Sequence, residues 1–198
     1  TIKNMTNLKK EDLLSSEEYS EKRSSLRDEN IALKKERLIK IGNNVSLLFE
    51  NQKTIQYQIQ EILRIEKIFE AQDVEEELKS YNPLIPNGAN LKATMLIEFP
   101  EENSRRKRLK EMHRVEEKVW MQVGSNERIF AIADEDMERS NEEKTSAVHF
   151  LRFEFSKKMI ENIKQGSSLY AGINHPSYNI RTKEIQKSTA LSLAKDFT

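Results

Sequence analysis

The spacing of apolar residues changes once along the chain, at residues 81–88. Before this segment, apolar residues recur mainly at helical intervals among charged ones; after it, they alternate with polar residues as in strands. The segment itself reads Tyr-Asn-Pro-Leu-Ile-Pro-Asn-Gly, and two prolines with an Asn-Gly pair cannot continue a helix. Helices followed by strands predict an α+β fold, with an antiparallel sheet of about five or six strands packed by helices.

The length of the chain suits one domain of this kind. It has 198 residues, whereas domains typically contain about 50–250. We predict a flexible arm over residues 1–14 and a single α+β domain over residues 15–198. Within that domain, residues 15–88 are expected to be mainly helical, and residues 89–198 mainly sheet with flanking helices.

The first predicted helix is long and highly charged. Ser15 with Glu18 three residues later is a capping-box pattern, and the helix is expected over residues 16–39. Tyr19, Leu26 and Leu33 recur every seven residues, which gives a narrow apolar stripe. The stripe fits a helix lying across the domain surface, and it also fits the seam of a homo-oligomer.

The composition excludes several classes of protein. The chain has no cysteine, which excludes disulfides, thiol nucleophiles, Cys-ligated zinc and iron–sulfur clusters held by its own thiolates. Its 33 basic residues balance its 33 acidic ones, which argues against a general nucleic-acid binder. No apolar run approaches the ~20 residues of a membrane span, and no signal-peptide core precedes the first helix. We expect a cytoplasmic protein without a membrane partner.

A basic run lies in the middle of the chain, at residues 105–108, and continues at Lys110 and Arg114. As a functional patch it would contact phosphate, as in an RNA-binding module. Glutamates surround the run, and a helix distributes consecutive residues around its axis. A solvated helix face is therefore the competing interpretation.

Glu66 is predicted to lie on the apolar face of a helix over residues 55–69. At about 100° per residue it falls in the middle of the face formed by Ile55, Ile59 and Ile62, and Gln58 leans towards the same face. A buried carboxylate needs a partner, which can be an Arg or His, a metal, or its own proton. A structural ion pair and a ligand-binding or catalytic carboxylate both remain open.

Two histidines are expected to face the core. His149 shares the parity of Leu151 and Phe153 in one strand, and His175 shares that of Ile173 in another. Together with Glu66, these histidines could converge into a metal or acid–base site, for which iron, manganese or zinc is suitable. The alternative is that each histidine is satisfied by a backbone carbonyl.

Several blocks of the chain, in order, resemble an uncharacterised bacterial family, number three-five-zero-one of the domains of unknown function. The blocks are Leu48-Phe49-Glu50-Asn51 with Thr54, Gln58-Ile59-Gln60-Glu61 with Arg64 and Glu66, residues 81–86, Leu91 with Ala93-Thr94, Ala147-Val148-His149-Phe150 with Arg152-Phe153, and His175-Pro176 with Tyr178. The resemblance implies a genomic neighbourhood of rubrerythrin-like proteins and iron–sulfur oxidoreductases. It thereby implies oxidative-stress or electron-transfer physiology.

Three functional hypotheses follow. The first is a polar pocket for a divalent metal or small ligand, with Glu66, His149 and His175 as metal ligands. Further ligand-binding candidates are Glu50, Gln58, Glu61 and Arg152. The second is a non-catalytic partner subunit of an iron–sulfur oxidoreductase or rubrerythrin-like protein, docking through the N-terminal helix and through Tyr81 and Asn82. The third is an RNA-binding module. No Walker A, dinucleotide-binding, His-Glu-x-x-His or Gly-x-Ser-x-Gly motif is present, so the sequence assigns no reaction and no catalytic residue.

Overall fold

A computed structural model describes residues 7–135 and 145–198. Within them the chain combines helices with antiparallel sheets, which confirms the predicted α+β class. None of the helices in these residues is long and apolar enough to cross a membrane. The helices are α1 (Ser16–Glu36), α2 (Gln52–Ile65), α3 (Ala71–Tyr81), α4 (Glu102–Glu111), α5 (Lys157–Lys164) and α6 (Lys187–Ala194).

The strands form two sheets rather than the single sheet expected from the sequence. One has the order β1-β2-β3-β7-β6 and the other β5-β4-β8-β9, and every pairing is antiparallel. The strands are β1 (Leu38–Ile41), β2 (Val45–Glu50), β3 (Asn90–Ile97), β4 (Val119–Val123), β5 (Ile129–Phe130), β6 (Ile132–Ala133), β7 (Val148–Glu154), β8 (Leu169–His175) and β9 (Tyr178–Arg181).

The chain passes from one sheet to the other between β5 and β6. β5 pairs with β4, whereas β6 pairs with β7 in the five-stranded sheet. Ala131 lies between them and donates its backbone N–H to the carbonyl of Val119. Because the switch takes only one residue, it places Asp134 directly beside β7.

Helix α1 ends at Glu36, three residues before the predicted end, because Arg37 is drawn into the interior. Its guanidinium, 1% exposed, donates to the carbonyl oxygens of Phe49 and Ser192 and forms an ion pair with Asp196. The backbone carbonyl of Arg37 accepts the N–H of Phe49. β1 begins directly after Arg37. The first residues of this strand lie within the helix that was predicted over residues 16–39.

Two apolar clusters hold the domain together. The larger contains residues from both sheets and from α5 and α6, such as Leu47, Met121 and Leu193. The smaller joins α2 and α3 and includes Leu8, which is buried. Leu8 belongs to the predicted arm, whose residues 7–14 contain a short 3-10 helix at Lys10–Asp12. Residues 1–6 of that arm lie outside the described residues.

Candidate functional site

His149 lies at the centre of a buried polar cluster between the sheets. It is on β7, its side chain is fully buried, and the prediction that it faces the core is confirmed. Nδ1 lies 2.6 Å from Oδ2 of Asp134. Nε2 lies 2.8 Å from the hydroxyl oxygen of Thr145 and 2.8 Å from the carbonyl oxygen of Ser146. Both ring nitrogens therefore face oxygen atoms.

Asp134 is fixed by the backbone of β7. It adopts a left-handed conformation (φ 47°) immediately after β6, which Asp tolerates better than most residues. Its N–H donates to the carbonyl of Phe150, and its Oδ1 accepts the N–H of Phe150, both at 2.8 Å. Oδ2 is thereby directed at His149.

Glu116 supplies a second carboxylate. It lies in the 3-10 helix Val115–Lys118 and is 4% exposed. Its Oε2 accepts the hydroxyl of Thr145 at 2.9 Å and lies 3.8 Å from Nε2 of His149. Three segments remote in sequence therefore contribute one acidic or histidine side chain each to the cluster.

The cluster contains a donor set that suits a metal ion. Glu116, Asp134 and His149 each offer a ligand atom, and these atoms lie within 4.8 Å of one another. One imidazole and two carboxylates suit iron, manganese or zinc. A ring protonated on both nitrogens can donate to these oxygens, whereas a ring that binds a metal through Nε2 gives up its hydrogen bond to the carbonyl of Ser146.

A family model described as "Protein of unknown function (DUF3501)" matches residues 7–197 of the chain. The chain belongs to the DUF3501 family. The family resemblance predicted from the sequence blocks is thus confirmed. No curated protein matches this DUF3501 chain significantly.

The DUF3501 chain is also similar to a solved structure. A crystal structure at 1.90 Å resolution, described as a novel protein of unknown function from Burkholderia pseudomallei K96243, is 45% identical to it. The match covers 97% of this chain and 100% of that one, with a TM-score of 0.92. The two chains share one fold, and neither the family description nor this neighbour names a function.

The prediction that Glu66 is buried is wrong in this DUF3501 chain. Helix α2 ends at Ile65 rather than at residue 69, and Glu66 is exposed at its C-cap. Lys67 takes a left-handed conformation (φ 54°), and the N–H of Ile68 donates back to the carbonyl of Leu63. Glu66 keeps its helical hydrogen bond to the carbonyl of Ile62, but the chain turns away directly after it, so its side chain lies at the solvent-exposed end of α2. The structure does not place it in the cluster with His149.

His175 faces the interior, as predicted, but it lies in the other sheet, on β8. Its Nε2 donates to the carbonyl of His113 at 2.9 Å, and its Nδ1 accepts the N–H of Ser177 at 3.1 Å. A neutral ring with the proton on Nε2 satisfies both contacts. His175 therefore fits the alternative of a histidine held by backbone groups, and it is not a member of the His149 cluster.

Two other predicted residues, Glu50 and Arg152, line one cavity of about 210 Å³. Glu50 is buried, and its carboxylate accepts the hydroxyls of Thr54 and Thr94 at 2.5 and 3.0 Å. Arg152 makes a two-point contact with Glu135, and these hydrogen bonds lower the pKa of the Glu135 carboxyl. His149 and Arg152 lie on opposite faces of β7, so the two sites use the neighbouring residues Asp134 and Glu135.

Of the remaining candidates, Glu61, Tyr81 and Asn82 hold helices and the N-terminal segment in place. Gln58 is exposed, whereas Glu61 accepts hydrogen bonds from Tyr19 and Arg23 on α1, both at 2.7 Å. Hydrogen bonding to Arg23 lowers the pKa of Glu61 to about 2. Tyr81 packs against the smaller apolar cluster, and Asn82 bonds both backbone groups of Leu8.

The basic run at residues 105–108 lies on α4, and Arg114 lies just beyond the helix. Arg106 pairs with Glu102, Arg108 with Glu111 and Arg114 with Glu117, each three or four residues away. Such exposed pairs are typical of a solvated helix face.

Sequence reasoning missed Glu116 and Asp134. Both belong to charged stretches, so neither differs from its sequence neighbours in charge or polarity. The one local signal is that Asp134 directly follows an apolar run at residues 129–133, which is typical of a strand. A side chain at a strand end can reach a neighbouring strand. The sequence around Glu116 gives no such signal. Its burial depends on how the 3-10 helix Val115–Lys118 packs against Thr145.

Proposed function

We propose that this DUF3501 protein binds one divalent transition-metal ion through His149 and Glu116, with Asp134 orienting the ring of His149. The observation that carries the proposal is the convergence of a buried imidazole and two buried carboxylates with the hydroxyl of Thr145. Charged groups are rarely buried unless they are paired or bind a metal. A metal would give these groups a common partner.

The distances support this assignment. Nε2 of His149 and Oε2 of Glu116 are 3.8 Å apart. Metal bonds to imidazole nitrogen and carboxylate oxygen are about 2.0–2.2 Å long, so one ion can contact both atoms. The hydroxyl of Thr145 lies 2.8 and 2.9 Å from these two atoms, a separation typical of neighbouring ligands on one ion.

Asp134 has a separate role in this proposal. It would accept the Nδ1 proton of His149 and so orient the ring with Nε2 towards the metal, the usual arrangement around a metal-bound histidine. Its fixed position on Phe150 suits this role. Glu116 and His149 would then be the primary ligands, with Thr145 as a weaker one.

The physiological setting implied by the family resemblance favours a redox-active metal. Iron and manganese take the same N/O ligands as zinc, but zinc has no redox chemistry. We therefore propose iron or manganese as the native ion, in oxidative-stress or electron-transfer physiology.

Metal analysis of the purified protein tests the proposal. We expect about one iron or manganese per chain in the wild type by plasma mass spectrometry, and none in His149→Gln or Glu116→Gln. His175→Gln is the matched control, because it removes another buried histidine outside the cluster, and it should retain the metal. Thermal denaturation checks that each variant is folded.

Two results would contradict the proposal. One is a metal-free wild type whose melting temperature does not change with Fe²⁺, Mn²⁺ or Zn²⁺, since a ligand that binds only the native state must stabilise it. The other is metal loss in His175→Gln equal to that in His149→Gln.

An alternative function is that of a non-catalytic partner subunit of a rubrerythrin-like protein or iron–sulfur oxidoreductase. Ile65, the last residue of α2, and Phe69, in the segment after it, are 61% and 70% exposed and support an apolar contact surface. Binding of the purified partner by wild type, Phe69→Ser and Tyr81→Ala tests it. Unchanged binding in both variants would reject this surface.

A further inference from the structure

A groove runs between α1 and α2, away from the His149 cluster. Its volume is about 630 Å³, and its apolar lining comes mainly from Leu14, Leu26, Leu33 and Tyr57. Contacts at both ends of α1 hold the helix in place. The Tyr19 and Arg23 contacts with Glu61 anchor its start, and the buried residue Arg37 anchors its end. The groove lies beneath the middle of α1, between these two sets of contacts.

Asn30 lies in this middle part and lines the groove. Asn30 is only 8% exposed, and its Oδ1 is a buried oxygen that has no hydrogen-bond partner among the described residues. A buried polar atom without a partner destabilises the folded chain. The terminal amide of Asn turns over a broad, low-energy range, so a donor group placed in the groove can reach Oδ1.

We propose that the groove binds an elongated, mainly apolar small molecule that donates one O–H or N–H to Oδ1 of Asn30. The volume lies within the range of about 300–1,000 Å³ that is usual for small-molecule sites, and such sites are typically apolar with a few placed polar groups. The ligand would supply the partner that Asn30 lacks.

A matched pair of probes tests the proposal by isothermal titration calorimetry. 4-Butylphenol carries an O–H donor, and 4-butylanisole has nearly the same shape but a methyl ether instead. We expect the wild type to bind the phenol about tenfold more tightly than the anisole. Asn30→Leu should abolish that preference, because it removes the Oδ1 acceptor. Asn103→Leu, an exposed position on α4, is the matched control and should retain it.

The preference has to depend on Asn30, because Glu29, Gln56 and Gln60 also line the groove. Asn30→Ala is therefore a second variant, which should also abolish the preference if Asn30→Leu fails to fold. Equal affinity for the two probes, no binding of either at millimolar concentration, or a preference that persists in Asn30→Leu would overturn the proposal. A wild-type dimer whose interface excludes both probes would also overturn it. Leu33→Trp, which fills the groove, should abolish binding of both probes while leaving the metal content unchanged.

Discussion

The carboxylate of Asp134 fixes the position of His149, because its two oxygens contact different groups. Oδ1 accepts the backbone N–H of Phe150 at 2.8 Å, and Oδ2 lies 2.6 Å from Nδ1 of His149. Because the first contact fixes the carboxylate on β7, the second fixes the imidazole ring. The orientation of a fully buried side chain thus depends on the residue that follows β6.

Asp134→Asn should weaken metal binding about 10–100-fold, the range typical of lost partners behind a metal ligand. If the amide oxygen keeps the N–H of Phe150, the amide NH₂ faces Nδ1, which can then no longer donate. The ring proton moves to Nε2 and blocks the metal position. A chelator-competition titration measures the change.

Glu135→Gln is the matched control for that experiment. Glu135 is the next residue, but it contacts Arg152 on the other side of β7, so metal affinity should stay within about twofold of wild type. Equal affinities for Asp134→Asn and wild type would show that Asp134 does not orient the ring.

Gly172→Ala should be strongly destabilising, by about 3 kcal/mol or more in urea unfolding. A Cβ at Gly172 would lie 2.7 Å from the backbone oxygen of Ile180 and closer still to the ring of Trp120. Trp120 is buried, so it cannot move aside cheaply. Gly166→Ala provides the comparison, because its Cβ would meet nothing within 4 Å and only its φ of 89° is unfavourable. It should cost about 1–2 kcal/mol, and an equal or larger loss at Gly166 would contradict this explanation.

Glu61→Gln should lower stability by about 1 kcal/mol at pH 7, because it removes a partly exposed ion pair. The pKa of Glu61 is lowered from 4.5 to about 2 by its hydrogen bond to Arg23. Its contribution is therefore complete above pH 4.5 and is lost as the pH falls towards 2. The stability difference between wild type and variant should shrink over that interval in urea unfolding.

The exposed residue Glu66 on the same helix end provides the control for this pH series, since Glu66→Gln should change stability by less than about 0.5 kcal/mol. A difference between wild type and Glu61→Gln that is constant from pH 7 to pH 2 would show that the Arg23 contact does not operate.

Asn82→Ala should release the segment before α1. The Asn82 amide accepts the N–H of Leu8 at 2.8 Å and donates to its carbonyl at 3.0 Å. Losing both bonds should cost about 1–2 kcal/mol and speed hydrogen exchange in residues 7–14, read by mass spectrometry. Asn103→Ala is the control. Unchanged exchange in Asn82→Ala would mean that the burial of Leu8 alone holds the segment.

Signals within a few residues were read correctly from the sequence. The capping box at Ser15 and Glu18 forms as predicted and starts α1, and the alternation around His149 placed that residue on the core face. The prediction that Glu66 is buried failed because a helical wheel is informative only where the helix continues. The left-handed residue Lys67 ends α2 just beyond that position, and no strong terminator in the sequence marks it.

The sequence by itself determined the α+β class, the family and the inward direction of His149, because periodicity, caps and ordered motifs are local properties. Only the tertiary structure decided what His149 meets. Asp134 arrives through the switch between sheets at β5 and β6, and Glu116 through the packing of a 3-10 helix. Contacts between residues 15 and 33 positions apart depend on how the sheets pack, and no local pattern encodes that packing.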